Sequence, residues 1–209
     1  MFTVLKSKEF DLKHLHLKKK ISVNENSYNI FISYMEHPKE LIIQTPIMIT
    51  PFGISLFGNN KYIDLSFINK NNDEEINLFY EKISEINNHI LKHMRYKQKY
   101  FKKNFINSIK PSSGIYPERI RVSISDTIKC YDKYNNLDNL DNLNSRTLVK
   151  ALIHVSHIWI NNGKFGIYWN IVQLKTYGKL VLEEFNFLEE DQPSYTIKIP
   201  KINNSELER

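Results

Sequence analysis

The chain has 209 residues, 41% of them hydrophobic and 25% charged, a composition that fits one large globular domain or two small ones and excludes a disordered chain. The longest nearly uncharged stretch, Leu41–Asn60, contains two prolines and two glycines, so it is not expected to cross a membrane as a helix, and the single cysteine, Cys130, excludes an internal disulfide framework and a cysteine-rich zinc site. The formal charge of +6, from 29 basic and 23 acidic residues, is a modest excess whose placement says more than its size.

Residues 1–20 hold six lysines against Glu9 and Asp11 and read as a basic N-terminal arm or a short edge element. They lack the apolar stretch of a signal peptide, which predicts an intracellular, reducing location. The main domain is expected over residues 21–182. From Ile21 to Met35, Tyr28, Ile30, Ile32 and Tyr34 alternate with Asn29, Phe31 and Ser33, the pattern of a strand. Pro46 interrupts the β-branched run after Leu41, so Gln44–Pro51 is a bend between two short strands. After Pro51-Phe52-Gly53 come ISLFG, a Gly58-Asn59-Asn60 turn and KYIDLSFI, with Tyr62, Asp64 and Ser66 on one side and Ile63, Leu65 and Phe67 on the other. These segments predict an antiparallel meander.

The period then changes. Asn72 can cap a helix with Glu75 at the capping-box position, and Ile76, Phe79, Tyr80, Ile83, Ile86, Ile90, Leu91 and Met94 form one apolar stripe. The spacing predicts a helix over about 73–105, with an acidic start and a lysine-rich end that suit the helix dipole. RIRVSIS returns to strand periodicity, with Arg119, Arg121 and Ser123 opposite Ile120, Val122 and Ile124. The polar triplet repeat at 135–145 reads as a loop. LVKALIHVSHIWI and KFGIYWNIVQLKTY then read as two long strands around an Asn161-Asn162-Gly163 turn, and a phase change in the second places a β-bulge near Ile171. Residues 183–209 carry seven acidic and three basic residues and read as an acidic tail.

No catalytic constellation emerges. His89 and His93 sit four apart on the helix, but no Glu occupies the zincin position and no third ligand is evident. His154 and His157 are three apart in a strand and should point to opposite faces. No glycine-rich phosphate loop or nucleophile elbow is present. The chain therefore reads as non-enzymatic, without metal or cofactor.

The basic pattern is more informative. Between Lys92 and Arg121 lie nine basic residues and one acid, Glu118, with Lys97, Lys99, Lys102 and Lys103 at the helix end and Arg119 and Arg121 on the following strand. A solvated helix end would account for the lysines alone; the strand arginines add a spacing of about 7 Å, comparable to that of successive phosphates. Flat rings are the second ingredient for binding single strands. Phe31 and Tyr168 alternate out of phase with their core neighbours and Trp159 shares its face with His157, so these three are the stacking candidates.

In the order of IIQTPIMITPFGISLFG, KYIDLSF, a long helix, RIRVSI and HIWINNGKFGIYWNIVQLKTY, the chain resembles the single-stranded-DNA-binding proteins of nucleocytoplasmic large DNA viruses, a group including giant-virus proteins and, more remotely, the African swine fever virus single-strand binder. The resemblance covers roughly residues 25–180. It implies an OB-like core that binds single strands during viral DNA replication, with Arg119, Arg121 and Lys164 as backbone contacts, in the host cytoplasm or a viral factory. The fold expected is α+β and mainly antiparallel, an OB-like, partly closed β-barrel with one long helix. The partners expected are single-stranded DNA or RNA, replication proteins docking on the acidic tail, and a second copy of the chain, with no membrane. The alternative is a structural or scaffold protein that uses the same rings to pack against protein.

Overall fold

A computed structural model describes residues 2–35, 39–97, 104–114 and 116–179. The strands are β1 (Phe2–Lys6), β2 (Leu15–Asn24), β3 (Ser27–Tyr34), β4 (Glu40–Gln44), β5 (Met48–Thr50), β6 (Ile54–Phe57) and β7 (Asn60–Ser66), then helix α1 (Glu74–Lys97). They are followed by β8 (Phe105–Ile106), β9 (Ile109–Lys110), β10 (Arg119–Ile124), β11 (Lys129–Tyr131), β12 (Leu137–Asp138), β13 (Thr147–Asn161) and β14 (Lys164–Lys179).

Five strands form a ring: β13 pairs with β5, β5 with β7, β7 with β10, β10 in parallel with β14, and β14 with β13. Two seams are narrow, Ile49 opposite Ser66 and Ser123 opposite Asn170. The result is an OB-like, partly closed β-barrel with one long helix. Along its other edge β13 serves three partners in turn: β5 from Thr147 to Val149, β4 from Leu152 to His154, and β3 from His157 to Asn161.

The handover from β5 to β4 explains the Gln-Thr-Pro sequence. Pro46 has no N–H to give the ladder, and Thr45 bridges the gap: its N–H donates to the Ala151 carbonyl at 2.9 Å and its Oγ1 accepts from the Ala151 N–H at 3.0 Å. In the Pro-Phe-Gly that follows, Gly53 has φ +65°, and a Cβ there would stand 2.8 Å from the Leu143 carbonyl oxygen, so glycine is required twice over. The bulge expected near Ile171 is present: Leu152 pairs with Gln173 and Ile153 with Ile171, leaving Val172 as the extra residue.

Helix α1 starts one residue later than expected. Asp73 is the cap, its Oδ1 accepting from the Ile76 N–H at 3.0 Å and its carbonyl from the Asn77 N–H at 2.9 Å. The helix does not reach residue 105, because Phe105–Ile106 is a strand paired with β14. Ile76, Phe79, Ile83, Ile86, Ile90 and Met94 bury the predicted stripe against Ile63, Leu65, Ile120, Val122 and Ile158 in one continuous core, each contributing roughly 1.5–3 kcal/mol. Trp169 belongs to that core, its indole N–H donating to Ser108 Oγ at 2.8 Å. Cys130 is buried too, which pushes its thiol up to about 11.

In the segment expected as an arm or an edge element, Phe2–Lys6 and Leu15–Lys20 lie in the sheet, each strand at an edge. β1 runs parallel to β4 from Phe2 opposite Glu40 to Lys6 opposite Gln44, and β2 forms a hairpin with β3. Among the described residues no helix is long and apolar enough to cross a membrane. The predicted acidic tail lies outside the described residues.

Candidate nucleic-acid interface

The outer face of the β13–β14 hairpin is built by alternation and two bulges. Ile153, Val155, Ile158 and Ile160 point into the barrel, whereas His154, Ser156, His157 and Trp159 are half-buried on the outside. Ser156 is an extra residue, since Val155 pairs with Trp169 and His157 with Tyr168. Alternation alone would send His154 and His157 to opposite faces; the bulge absorbs one residue and returns both to the same face.

His157 then sits between rings from the two flanking strands. Its imidazole lies 5.0 Å from the Tyr168 ring at an interplanar angle of 24°, and 5.5 Å from Phe31. Phe31, His157 and Tyr168 thus form a cross-strand ladder over β3, β13 and β14, a spacing at which flat rings interact favourably. Both outer members are fixed. Phe31 is opposite His157 in register, and the Tyr168 hydroxyl donates to Ser123 Oγ of β10 at 2.9 Å. One residue pair further along, the Trp159 indole lies across Gly166, where a Cβ would approach its Cζ2 to 2.9 Å. The glycine at 166 lets the indole lie flat on the neighbouring strand.

Two shallow clefts of about 470 and 270 Å³ flank Tyr168. Asn60, Lys61, His154 and Asn170 line the first; Tyr62, Lys110, Arg121 and Trp159 line the second. Ser123 and Tyr168 line both, so the clefts adjoin on either side of the Tyr168–Ser123 hydrogen bond.

The charges need correcting against expectation. Arg119 and Arg121 do not stand free on their strand: both turn to Asp64 of β7, whose side chain is buried. Arg121 Nε and Nη2 donate to the two Asp64 oxygens at 2.8 and 2.9 Å, and Arg119 Nε donates at 3.2 Å. The Arg119 side chain is 17% exposed and its Nη1 is buried without a partner, so Arg119 is a structural cation; Arg121, 34% exposed, borders the second cleft. Hydrogen bonding to Asp64 holds Arg121 above its ordinary pKa. Burial, then the nearby Arg121, pushes the Lys110 amine down. Three cations facing one carboxylate leave a local excess of positive charge. At the first cleft Lys61 is paired with Asp126. Burial also lowers His154 and His157, so the imidazole in the ladder is a neutral flat ring near pH 7.

Phe31, Trp159 and Tyr168 share one face, with Phe31 38% exposed. Lys164 is exposed at the hairpin turn beside them. Lys99, Lys102, Lys103 and the Lys97 side chain lie outside the described residues. Sequence reasoning put His157 on the Trp159 face without giving it a role, and it set His154 on the opposite face because the bulge at Ser156 has no local signature. It counted Lys110 among the basic residues without assigning it, placed Asn170 on the polar face beside Tyr168 without giving it a role, and passed over Lys61.

Fold and surface together define an OB-like barrel protein with an aromatic-lined outer face. The structure is similar to that of gp2.5, a single-stranded DNA binding protein encoded by bacteriophage T7, with a TM-score of 0.50 and 7% identity, covering 75% of this chain and 100% of that one. It has a lower similarity, TM-score 0.39 and 12% identity over 78% of this chain and 96% of that one, to the single-stranded DNA-binding protein from bacteriophage Enc34 in complex with ssDNA. In sequence, residues 64–189 match the family of unknown function DUF5871, and the chain belongs to that family. It is also 26% identical over 184 residues, 76% of this chain, to the uncharacterized protein L291 of Acanthamoeba polyphaga mimivirus, of whose length it spans 31%.

Proposed function

We propose that this protein binds single-stranded DNA without sequence preference, without catalysis, and acts in viral DNA replication in the host cytoplasm or a viral factory. The observation that carries the reading is the ladder of Phe31, His157 and Tyr168 on the outer face, whose Tyr168 borders both clefts. Bases stack on such rings at roughly 1–3 kcal/mol each, and every base has a flat face to offer, so the contact is tolerant of sequence. Arg121, Lys110 and Lys164 supply cations for phosphates beside the rings. The likeness to the T7 protein supports the reading through its fold, and the match to a mimivirus protein fits a viral setting.

Fluorescence anisotropy with labelled single strands and duplex of matched length tests it. Binding should favour the single strand, be nearly indifferent to base composition, and weaken log-linearly with salt at a slope of about −0.7 per phosphate contacted. Equal affinity for duplex, or a salt-independent affinity, would refute the proposal.

A further inference from the structure

We propose that the barrel face carries a second nucleotide subsite at the end of the β13–β14 hairpin away from its turn, where Lys150 and Lys175 hold a backbone phosphate and the Tyr131 ring receives a neighbouring base. The inference rests on the single-strand reading above and extends it to a track longer than the aromatic ladder.

The first observation is a register that disfavours itself. Lys150 of β13 is directly opposite Lys175 of β14, and Lys175 is directly opposite Tyr131 of β11. Like charges directly opposite on a sheet repel and are destabilising. Among the described residues no acid forms an ion pair with either lysine. Lys175 Nζ instead donates to the neutral Asn135 Oδ1 at 2.6 Å and lies 5.5 Å from the Tyr177 ring. Asp132 is within electrostatic reach of Lys175, but its carboxylate already accepts from the Tyr134 and Asn136 N–H groups and from Asn136 Nδ2. A bound anion would relieve the repulsion.

The second observation is shape. Lys150, Lys175, Tyr131, Asn135, Gln44 and Gln173 line an open groove of about 320 Å³. Lys150 also borders an adjoining groove together with Lys6, Lys8 and Glu75. Four lysines therefore surround the two grooves against one lining acid.

The third is continuity. Val149, Ala151 and Ile153 are buried, so Lys150, Leu152 and His154 share the outer face with His157. On β14 the bulge at Val172 puts Gln173 and Lys175 on the face of Asn170 and Tyr168. The strip from the ladder to the lysine pair is about 20 Å long at a strand rise of roughly 3.3 Å per residue. A strand lying on the ladder and continuing along the hairpin would reach Lys150 and Lys175 only if it were several nucleotides long.

The test compares thymidine oligomers of about 4 and about 16 nucleotides, the range of sites known for one OB fold, by anisotropy over a salt series. In the Lys150→Gln/Lys175→Gln variant the slope for the long oligomer should fall by about 0.7 in magnitude, one phosphate, while the short oligomer binds as before. Tyr131→Ala should weaken the long oligomer about 5- to 150-fold and spare the short one. Lys150→Glu should raise the urea midpoint, by creating a cross-strand ion pair with Lys175, while weakening the long oligomer. An unchanged long-oligomer slope in the lysine variants, or equal losses on both lengths, overturns the second subsite and leaves the ladder reading intact. A wild-type protein that binds neither oligomer overturns both.

Discussion

The pairing of two arginines with one buried carboxylate separates fold from binding, and Asp64→Asn probes it. Asp64 accepts three hydrogen bonds, two from Arg121 and one from Arg119. Breaking a buried charge pair by removing one partner costs about 3–5 kcal/mol. Arg121 is one-third exposed, so water recovers part of that loss and the lower figure, about 3 kcal/mol, applies. With a urea dependence of about 2 kcal/mol/M, the unfolding midpoint should fall by about 1.5 M. Binding should respond in the opposite sense: the carboxylate's charge is gone while Arg121 and Lys110 remain at the cleft, so single-strand affinity measured well below the midpoint should hold or rise. Arg119→Gln should lower the urea midpoint and leave the salt slope of binding unchanged, because its guanidinium faces Asp64 and not the track. Arg121→Gln should reduce the slope magnitude by about 0.7. If Arg119→Gln lost salt dependence as Arg121→Gln does, with an undisturbed midpoint, the assignment of Arg119 to the fold would be wrong.

Tyr168→Ala should weaken single-strand binding by about 1–3 kcal/mol, whereas Tyr168→Phe, which loses only the bond to Ser123, should stay near wild type in the same titration. His154 and His157 have folded pKa values depressed below 6.5 by burial. The folded state thus binds fewer protons than the unfolded one in that range. Their contribution to stability is complete above pH 6.5 and is lost as pH falls through the lower folded values. Urea midpoints should drop from pH 7.5 to pH 5.5, and by less in a His154→Gln/His157→Phe variant. Gly166→Ala should displace the Trp159 indole, visible as a shifted tryptophan emission in the free protein and weaker quenching by polythymidine. Gly53→Ala, at φ +65° and against the Leu143 carbonyl, should destabilise by more than about 1 kcal/mol in thermal unfolding without altering the salt slope of binding.

Much of the framework was legible because it is local. Asn161-Asn162-Gly163 announced the long hairpin, three- and four-residue spacing announced the helix, and strict alternation placed Phe31, Trp159 and Tyr168 outside a core that their neighbours fill. The bulge at Val172 could be seen as a change of phase. The bulge at Ser156 could not, since His-Val-Ser-His reads equally well as unbroken alternation, and so His154 was set on the face opposite His157. Asp64 and the two arginines each looked like an outward polar residue on its own strand; their convergence exists only once β7 and β10 pair. The same holds for Lys150 and Lys175, which are unremarkable apart and become a repelling pair through hairpin register. The parallel pairing of β1 with β4 is likewise non-local, so the N-terminal segment read as either an arm or a short edge element.

Photocrosslinking to a single strand carrying 5-bromodeoxyuridine, with the attached peptides mapped by mass spectrometry, addresses the binding face most directly. Crosslinks should fall on Phe31, His157, Trp159 and Tyr168, with a long oligomer adding Tyr131. Crosslinks confined to α1 or to the exposed β2 edge, with the hairpin face unmodified, would contradict the account.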